Sequence, residues 1–244
     1  AAATRLGVRV HGDSPVVSCT RVGERWQVRT HRGSVRAARI VLCTNGHAGN
    51  AFFPEVTRAG YPLVACGLAT APLPPSLLEV INPSRAALAQ VPTGLYPMVV
   101  DGRGRLVTAT IPGPRQADRP ARYFEAFLSY LHRTWPESRA VPIEPGWYWT
   151  GMTSSTSATL HADFPGLYQI AAGVVGLMSP GTWGDVVGPL LGRSVAQALA
   201  EERPQDFMFP LRAPHAVRFP RLFEIKIRHL LVPAARCIDR VWAS

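Results

Sequence analysis

The chain has 244 residues, 47% of them apolar, and 26 basic against 16 acidic side chains give a net charge of +10. That length supports a sizeable core in one or two domains, and no apolar run approaches the ~18 residues a membrane-crossing helix needs. Lys226 is the only lysine, a skew that speaks for an Arg-favouring genome as much as for a selected surface. With no basic–aromatic strand pattern and no helix-turn-helix spacing, nucleic acid is set aside as a partner. Cys19, Cys43, Cys66 and Cys237 form no CxxC pair, and the seven histidines show no HxH or HxxxH spacing. The expectation is a reduced, cytoplasmic protein without a metal site.

In chain order, the Ala-rich start ending at Gly7 reads as the last turn of a helix with a glycine stop. The sequence is therefore expected to begin inside an element, without a signal peptide. Val8-Arg9-Val10, a strand starting at Pro15-Val16-Val17, Trp26–Thr30 and Val35–Ala37 predict a small antiparallel unit. Arg39–Cys43 is a short apolar run, the pattern of a strand covered on both faces, and it ends in the polar turn Thr44-Asn45-Gly46.

From Pro62 to Pro120 proline is dense and helical periodicity absent. The best strand pair there is Leu95–Val100 with Arg105–Ala109, joined by Asp101-Gly102-Arg103-Gly104. Phe124, Phe127, Leu128, Leu131 and Trp135 predict an amphipathic helix that stops before Pro136. Residues 146–151 read as an aromatic strand followed by a Ser/Thr-rich loop. Leu167–Gly173 reads as a buried strand running into a long Gly-rich loop (Gly173, Gly176, Gly181, Gly184), and a helix spans about Val186 to Ala200. Between Arg212 and Arg240 seven basic residues face two acids, a balance of +5. This basic amphipathic tail, with Leu222, Phe223, Ile227, Leu230 and Leu231, is expected to pack on the protein's own body or a partner subunit, the alternative being an anionic membrane surface.

Two junctions carry chemistry: Ile40 to Gly46, and Tyr168 to Gly184 leading into a helix. A strand, a glycine-rich loop and a helix N-terminus together make an anion site, because free N–H groups and the helix dipole face the ligand. A tight connection with no ligand is the bland alternative at each.

The order of these segments resembles the D-amino-acid oxidase-like FAD oxidoreductases, which include glycine oxidase, sarcosine oxidase and gamma-glutamylputrescine oxidase. The resemblance runs through Leu6–Val10 with Ser14-Pro15-Val16, Gly33–Ala37, Ile40–Gly46, Trp149–Thr153, Leu167–Gly173 and Gly181–Gly184 with Gly192-Arg193. Asp206-Phe207, Pro214-His215 and Arg218-Phe219-Pro220 are similar to the tail of the putrescine-type branch. Coverage is nearly the whole chain; each motif is short, and their collinear order is what carries the match.

The resemblance implies FAD as cofactor, with Val16 beside the adenine and Cys43, Thr44, Asn45, Gly46, Gly173, Trp183, Gly184 and Asp185 as cofactor contacts. Tyr96, Trp149 and Thr153 are the candidate catalytic-pocket residues, with a core role as the alternative for the two aromatics. Arg103 and Arg105 are left out as solvated hairpin arginines. The implied fold is α/β (α+β): an incomplete FAD/NAD(P)-binding Rossmann-like domain plus an antiparallel-sheet substrate domain. Residues 1–60 and 150–205 are assigned to the FAD-binding domain, 61–149 to the substrate domain and 206–244 to the tail. The implied reaction is oxidation of a small-molecule amine or amino acid by hydride transfer to flavin. A degenerate, non-catalytic relative acting as a binding or scaffold subunit is the alternative, and an enzyme of hydroxy acids or polyols a third.

Three departures bear on this. No GxGxxG follows a strand, nor does the acidic residue about twenty positions on that would hold a ribose, so the chain is expected to be a fragment that does not hold FAD tightly alone. The loop from Gly173 to Gly184 is longer than the family's, with Trp183 where His is common. Ser154-Ser155-Thr156-Ser157 replaces the family's D-x-x-P.

Overall fold

The computed structural model describes residues 2–47, 52–89, 93–114, 116, 118–156, 165–179, 184–203 and 206–242. The first half contains α1 (Ala2–Arg5), β1 (Val16–Val22), β2 (Arg25–Thr30), β3 (Gly33–Ala37), β4 (Ile40–Leu42), α2 (Pro54–Arg58), β5 (Tyr61–Thr70), α3 (Pro75–Ile81), β6 (Met98–Val100) and β7 (Leu106–Thr110). Then follow α4 (Pro120–Thr134), β8 (Pro145–Ser155), β9 (Gly166–Ala171), β10 (Val174–Met178), α5 (Gly184–Ala200), β11 (Leu211–Arg212), α6 (Pro220–Lys226) and α7 (Val232–Trp242). The chain divides into two units, each discontinuous in sequence.

The first unit holds residues 1–44, 48–59 and 165–216. The glycine stop at its start is present: Gly7 has φ +83°, and the Val8 N–H returns to the Ala3 carbonyl at 3.1 Å. Val8–Val10 forms no strand, contrary to expectation; Val8 and Val10 are 52% and 69% exposed, so nothing repays ordering them. β1, β2 and β3 make an antiparallel sheet in that order. The second sheet runs β11-β9-β10-β4, with β10 parallel to β4 and antiparallel to β9. Its two faces are both clothed. Val174 and Met178 pack with Trp26, Phe53 and Val56, while Leu167 and Val175 pack with Val195 and Leu199 of α5.

Two expectations are corrected here. Residues 174–178 are a strand rather than part of a Gly-rich loop, because Val174, Val175 and Met178 are buried and Gly176 leaves room for the Ile170 side chain. Only β10 pairs with β4, so the apolar run is a sheet edge among the described residues, and Val41 is 40% exposed rather than covered.

The second unit holds residues 45–47, 60–164 and 217–244. Its antiparallel sheet runs β6-β7-β5-β8. The predicted hairpin is β6 and β7, with Met98 opposite Thr108 and Val100 opposite Leu106. β5 was not anticipated: Pro62 and the small residues Ala65, Gly67 and Ala69 hide an alternating pattern. Yet it is the strand to which both β7 and β8 bond. α4 lays Tyr123, Phe127, Tyr130 and Leu131 on this sheet's core of Leu68, Met98 and Leu106. Each such fully buried side chain contributes roughly 1.5–3 kcal/mol. The helix stops at Trp135 before Pro136, as the proline dictates.

The tail packs on its own unit. Ile227 and Val232 are buried with Tyr61 and Leu63 of β5. Between α6 and α7 the turn at Ile227–Leu231 is a π-helix, with the Val232 N–H reaching Ile227. Pro233 explains it: lacking an N–H, it cannot continue the α-helical bonding pattern, and the widened turn absorbs the defect.

Candidate functional site

β8 organises the second unit's candidate site. Its alternation puts Trp147, Trp149, Gly151, Thr153 and Ser155 on one face and Tyr148, Thr150, Met152 and Ser154 on the other. On β5, Gly67 faces Trp149 and Leu63 faces Thr153. Gly67 is glycine because the indole of Trp149 lies where its Cβ would be; a Cβ there would sit 2.0 Å from the ring's Cζ2. Trp149 in turn packs against Trp147, centroids 4.9 Å apart. The Arg105 guanidinium lies 5.4 Å from the Trp147 ring centre.

The turn after β4 lands on the same strand. Asn45 has φ +45°, the left-handed conformation asparagine tolerates, and Ser154 Oγ donates to its Oδ1 at 2.7 Å. Gly46 lies directly on β8: a Cβ would be 2.6 Å from the Thr153 carbonyl oxygen and 3.0 Å from the Met152 Cβ. The Thr153 hydroxyl is buried and has no hydrogen-bond partner among the described residues. Leaving a hydroxyl in that state costs about 1–3 kcal/mol, a cost that a ligand's polar atom would remove. The structure thus brings Asn45, Gly46 and Thr153 together, and Trp149 stands four residues away on the same face of β8 as Thr153.

Tyr96 is placed otherwise. It is 4% exposed and stacked on Tyr130 at 4.9 Å inside the aromatic core, where burial raises its hydroxyl pKa. Its surroundings are those of a packing residue, the alternative role weighed for it, and not of a pocket wall.

In the first unit the parallel pair β4–β10 presents its carboxyl ends, the usual ligand edge of a parallel sheet. Cys43 and Thr44 leave β4 exposed, and partial burial of the sulfur raises the Cys43 thiol pKa. At the end of β10, Ser179 has φ +52°, is fully buried, and its hydroxyl also lacks a partner among the described residues. Gly184 then opens α5. Gly173 serves the β9–β10 turn: φ is +77°, a Cβ would lie 3.0 Å from the Ala38 carbonyl, and Trp26 Nε1 donates to Ala172 beside it at 2.9 Å. That packing accounts for the glycine by itself. Val16 begins β1 and is 37% exposed. Trp183 lies outside the described residues, as does the side chain of Asp185.

Ser154, Gly67 and Ser179 are not among the residues singled out for the site from the sequence, and Arg105 is set aside there as solvated. Arg105 is not a solvated hairpin arginine. It binds Asp101 through Nε at 2.7 Å, and this bond above all pulls the Asp101 carboxyl down to about 2. Gly67 within an apolar stretch was the one available signal for a close approach.

The FAD dependent oxidoreductase (DAO) family profile matches residues 1–198. The chain belongs to the DAO family of FAD-dependent oxidoreductases. No curated protein matches it. Among solved DAO-like structures, it is similar to L-proline dehydrogenase from P. horikoshii, at 14% identity and TM-score 0.64, covering 82% of this chain and 53% of that one. It is likewise similar to glycine oxidase from Geobacillus kaustophilus, at 18% identity and TM-score 0.64, covering 83% and 52%. Amadoriase I from Aspergillus fumigatus shares 16% identity with TM-score 0.61, covering 84% and 50%. Such identities speak for the fold alone, a mixed α/β fold with parallel and antiparallel sheets. The chain spans about half the length of each of these structures.

Within the DAO family the cofactor is FAD, and the residues present fit a polar ligand of that kind. In the second unit the Thr153 hydroxyl, and in the first the Ser179 hydroxyl, is buried without a partner among the described residues, as is that of Thr108 within the second unit's sheet.

Proposed function

We propose that this chain contributes the substrate-side sheet and part of the cofactor site to an enzyme that oxidises an amine or amino acid with FAD. The observation that carries the reading is the Thr153 hydroxyl, buried beside Asn45-Gly46 without a partner on the face of β8 that also bears Trp149. In a family of FAD-dependent oxidoreductases, that is where a group held against the flavin would find its hydrogen bond. The relatives support the substrate class: glycine oxidase and an iminodiacetate oxidase share the fold. FAD, held there, would supply the hydride acceptor for oxidation at the carbon next to nitrogen. This chain's residues do the rest. Thr153 Oγ donates or accepts one hydrogen bond, Asn45 and Gly46 hold the turn close to β8, and Trp149 lends that face an apolar surface. Ser179, Thr44 and the start of α5 serve the cofactor at the carboxyl ends of β4 and β10. We take the FAD/NAD(P)-type nucleotide-binding layer to be the first unit and the substrate layer the second. Four cysteines without disulfides are in keeping with a reducing compartment.

A second reading, a non-catalytic relative kept as a binding or scaffold subunit, is favoured by β10. Residues 174–178 are spent on a sheet strand where the resemblance expects a loop at the flavin end. Assay of the complete protein for amine-dependent peroxide formation or dye reduction separates the two. Turnover with an amine or amino acid is the expected result; bound flavin with no turnover across a broad amine panel overturns the first reading.

A further inference from the structure

The tail carries two apolar stripes, and the fold uses one. Ile227, with Phe223 and Leu231 at i−4 and i+4, turns inward onto Tyr61 and Leu63. Leu222, Ile225 and Leu230 recur at helical spacing on the remaining surface and are 61%, 53% and 59% exposed. Phe219 before α6 is 70% exposed, and Ile238 and Val241 on α7 are 45% and 72% exposed. A soluble surface does not gather large apolar groups in this way without a partner.

The charges beside this stripe are of one sign. Arg218, Arg221, Lys226 and Arg240 are exposed. The two acids of the segment are both committed: Glu224 to Arg228 at 3.5 Å, and Asp239 buried, accepting a hydrogen bond from Thr93 Oγ1 at 2.5 Å. The stripe is thus bordered by unpaired cations and by no free carboxylate among the described residues. No helix of the described residues is long and apolar enough to cross a membrane. An apolar helical face flanked by cations fits the boundary of a bilayer, with side chains among the acyl ends and guanidinium groups at the headgroups.

We propose that the outer face of the α6–α7 tail lies on an anionic lipid surface, holding this chain to a membrane as a peripheral protein. The proposal stands apart from the flavin reading, since none of its residues belongs to the candidate site. The inward stripe keeps the tail folded on its unit while the outward stripe binds, so neither function excludes the other.

Flotation of the full chain with lipid vesicles tests it. Vesicles of phosphatidylcholine containing about 30% phosphatidylglycerol should carry the chain, pure phosphatidylcholine should not, and raising the salt should release it. Leu222→Gln with Leu230→Gln should abolish flotation while leaving the circular dichroism and unfolding midpoint unchanged, because both side chains are already exposed. Replacing Arg218, Arg221 and Lys226 by Gln should lower partitioning by roughly a hundredfold, at about fivefold per cation. Equal flotation on both vesicle types would overturn the proposal, as would none on the anionic ones. A concentration-dependent dimer that the Leu222→Gln, Leu230→Gln pair dissolves would also overturn it, since the face would then join two copies of the chain.

Discussion

At Thr153 a methyl group and a hydroxyl have opposite value. The hydroxyl is buried with nothing to bond, so Thr153→Val, which keeps the shape, should leave the unliganded chain as stable or stabilise it by about 1 kcal/mol. The same change should slow flavin reduction in the complete protein, and denaturant unfolding beside a reduction assay reads both effects. A loss of stability without loss of rate would make Thr153 a packing residue. Gly46 is the complementary case. Gly46→Ala forces a Cβ to 2.6 Å from the Thr153 carbonyl, and the required shift should cost about 1–3 kcal/mol in urea unfolding. That Thr153, Asn45 and Gly46 deserve to be considered together is legible only through motifs that resemble a family's. Ser154 and Gly67 are not legible, because their partners depend on the register of β5 against β8, which no local pattern specifies. For Tyr96 the two readings, pocket wall and core aromatic, differ only once the helix that stacks on it is in place.

Elements with a strong period of their own were readable, and those defined by neighbours were not. α4, α5 and the β6–β7 hairpin follow from apolar spacing and turn chemistry. β5 and β10 do not: Pro62 with Ala65, Gly67 and Ala69 gives β5 the composition of a loop, and β10 is a five-residue run interrupted by Gly176 directly after Gly173. The hairpin also has a pH signature. Arg105 holds the folded Asp101 carboxyl at about 2, below its ordinary value. A depressed carboxylate stabilises above its unfolded pKa near ~4, and that contribution is lost as pH falls towards about 2. Asp101→Asn should therefore flatten the acid limb of the unfolding-midpoint profile between those values, with little change near neutrality beyond a constant offset. In the tail, Ile227 is 1% exposed in a cluster with β5. Ile227→Ala should destabilise by about 2–5 kcal/mol, whereas an appendage that only touches the surface would give a change near zero.

For the molecule as a whole, family membership and a mixed α/β fold were recoverable from motif order even though each motif is weak. The chain's own cofactor affinity is a separate matter. It contains no GxGxxG segment to cradle a pyrophosphate, so the 244 residues alone should purify without stoichiometric FAD, as the flavin absorbance per protein will show. Under the function proposed, amine or amino-acid oxidation runs through the face of β8 that bears Thr153. Anaerobic mixing of the complete, flavin-loaded protein with a panel of amines, amino acids and hydroxy acids tests it most directly. Bleaching of the oxidised-flavin band by at least one amine or amino acid, slowed by Thr153→Val, is the expected result. A flavin that stays oxidised throughout, or that bleaches only with hydroxy acids, would contradict it.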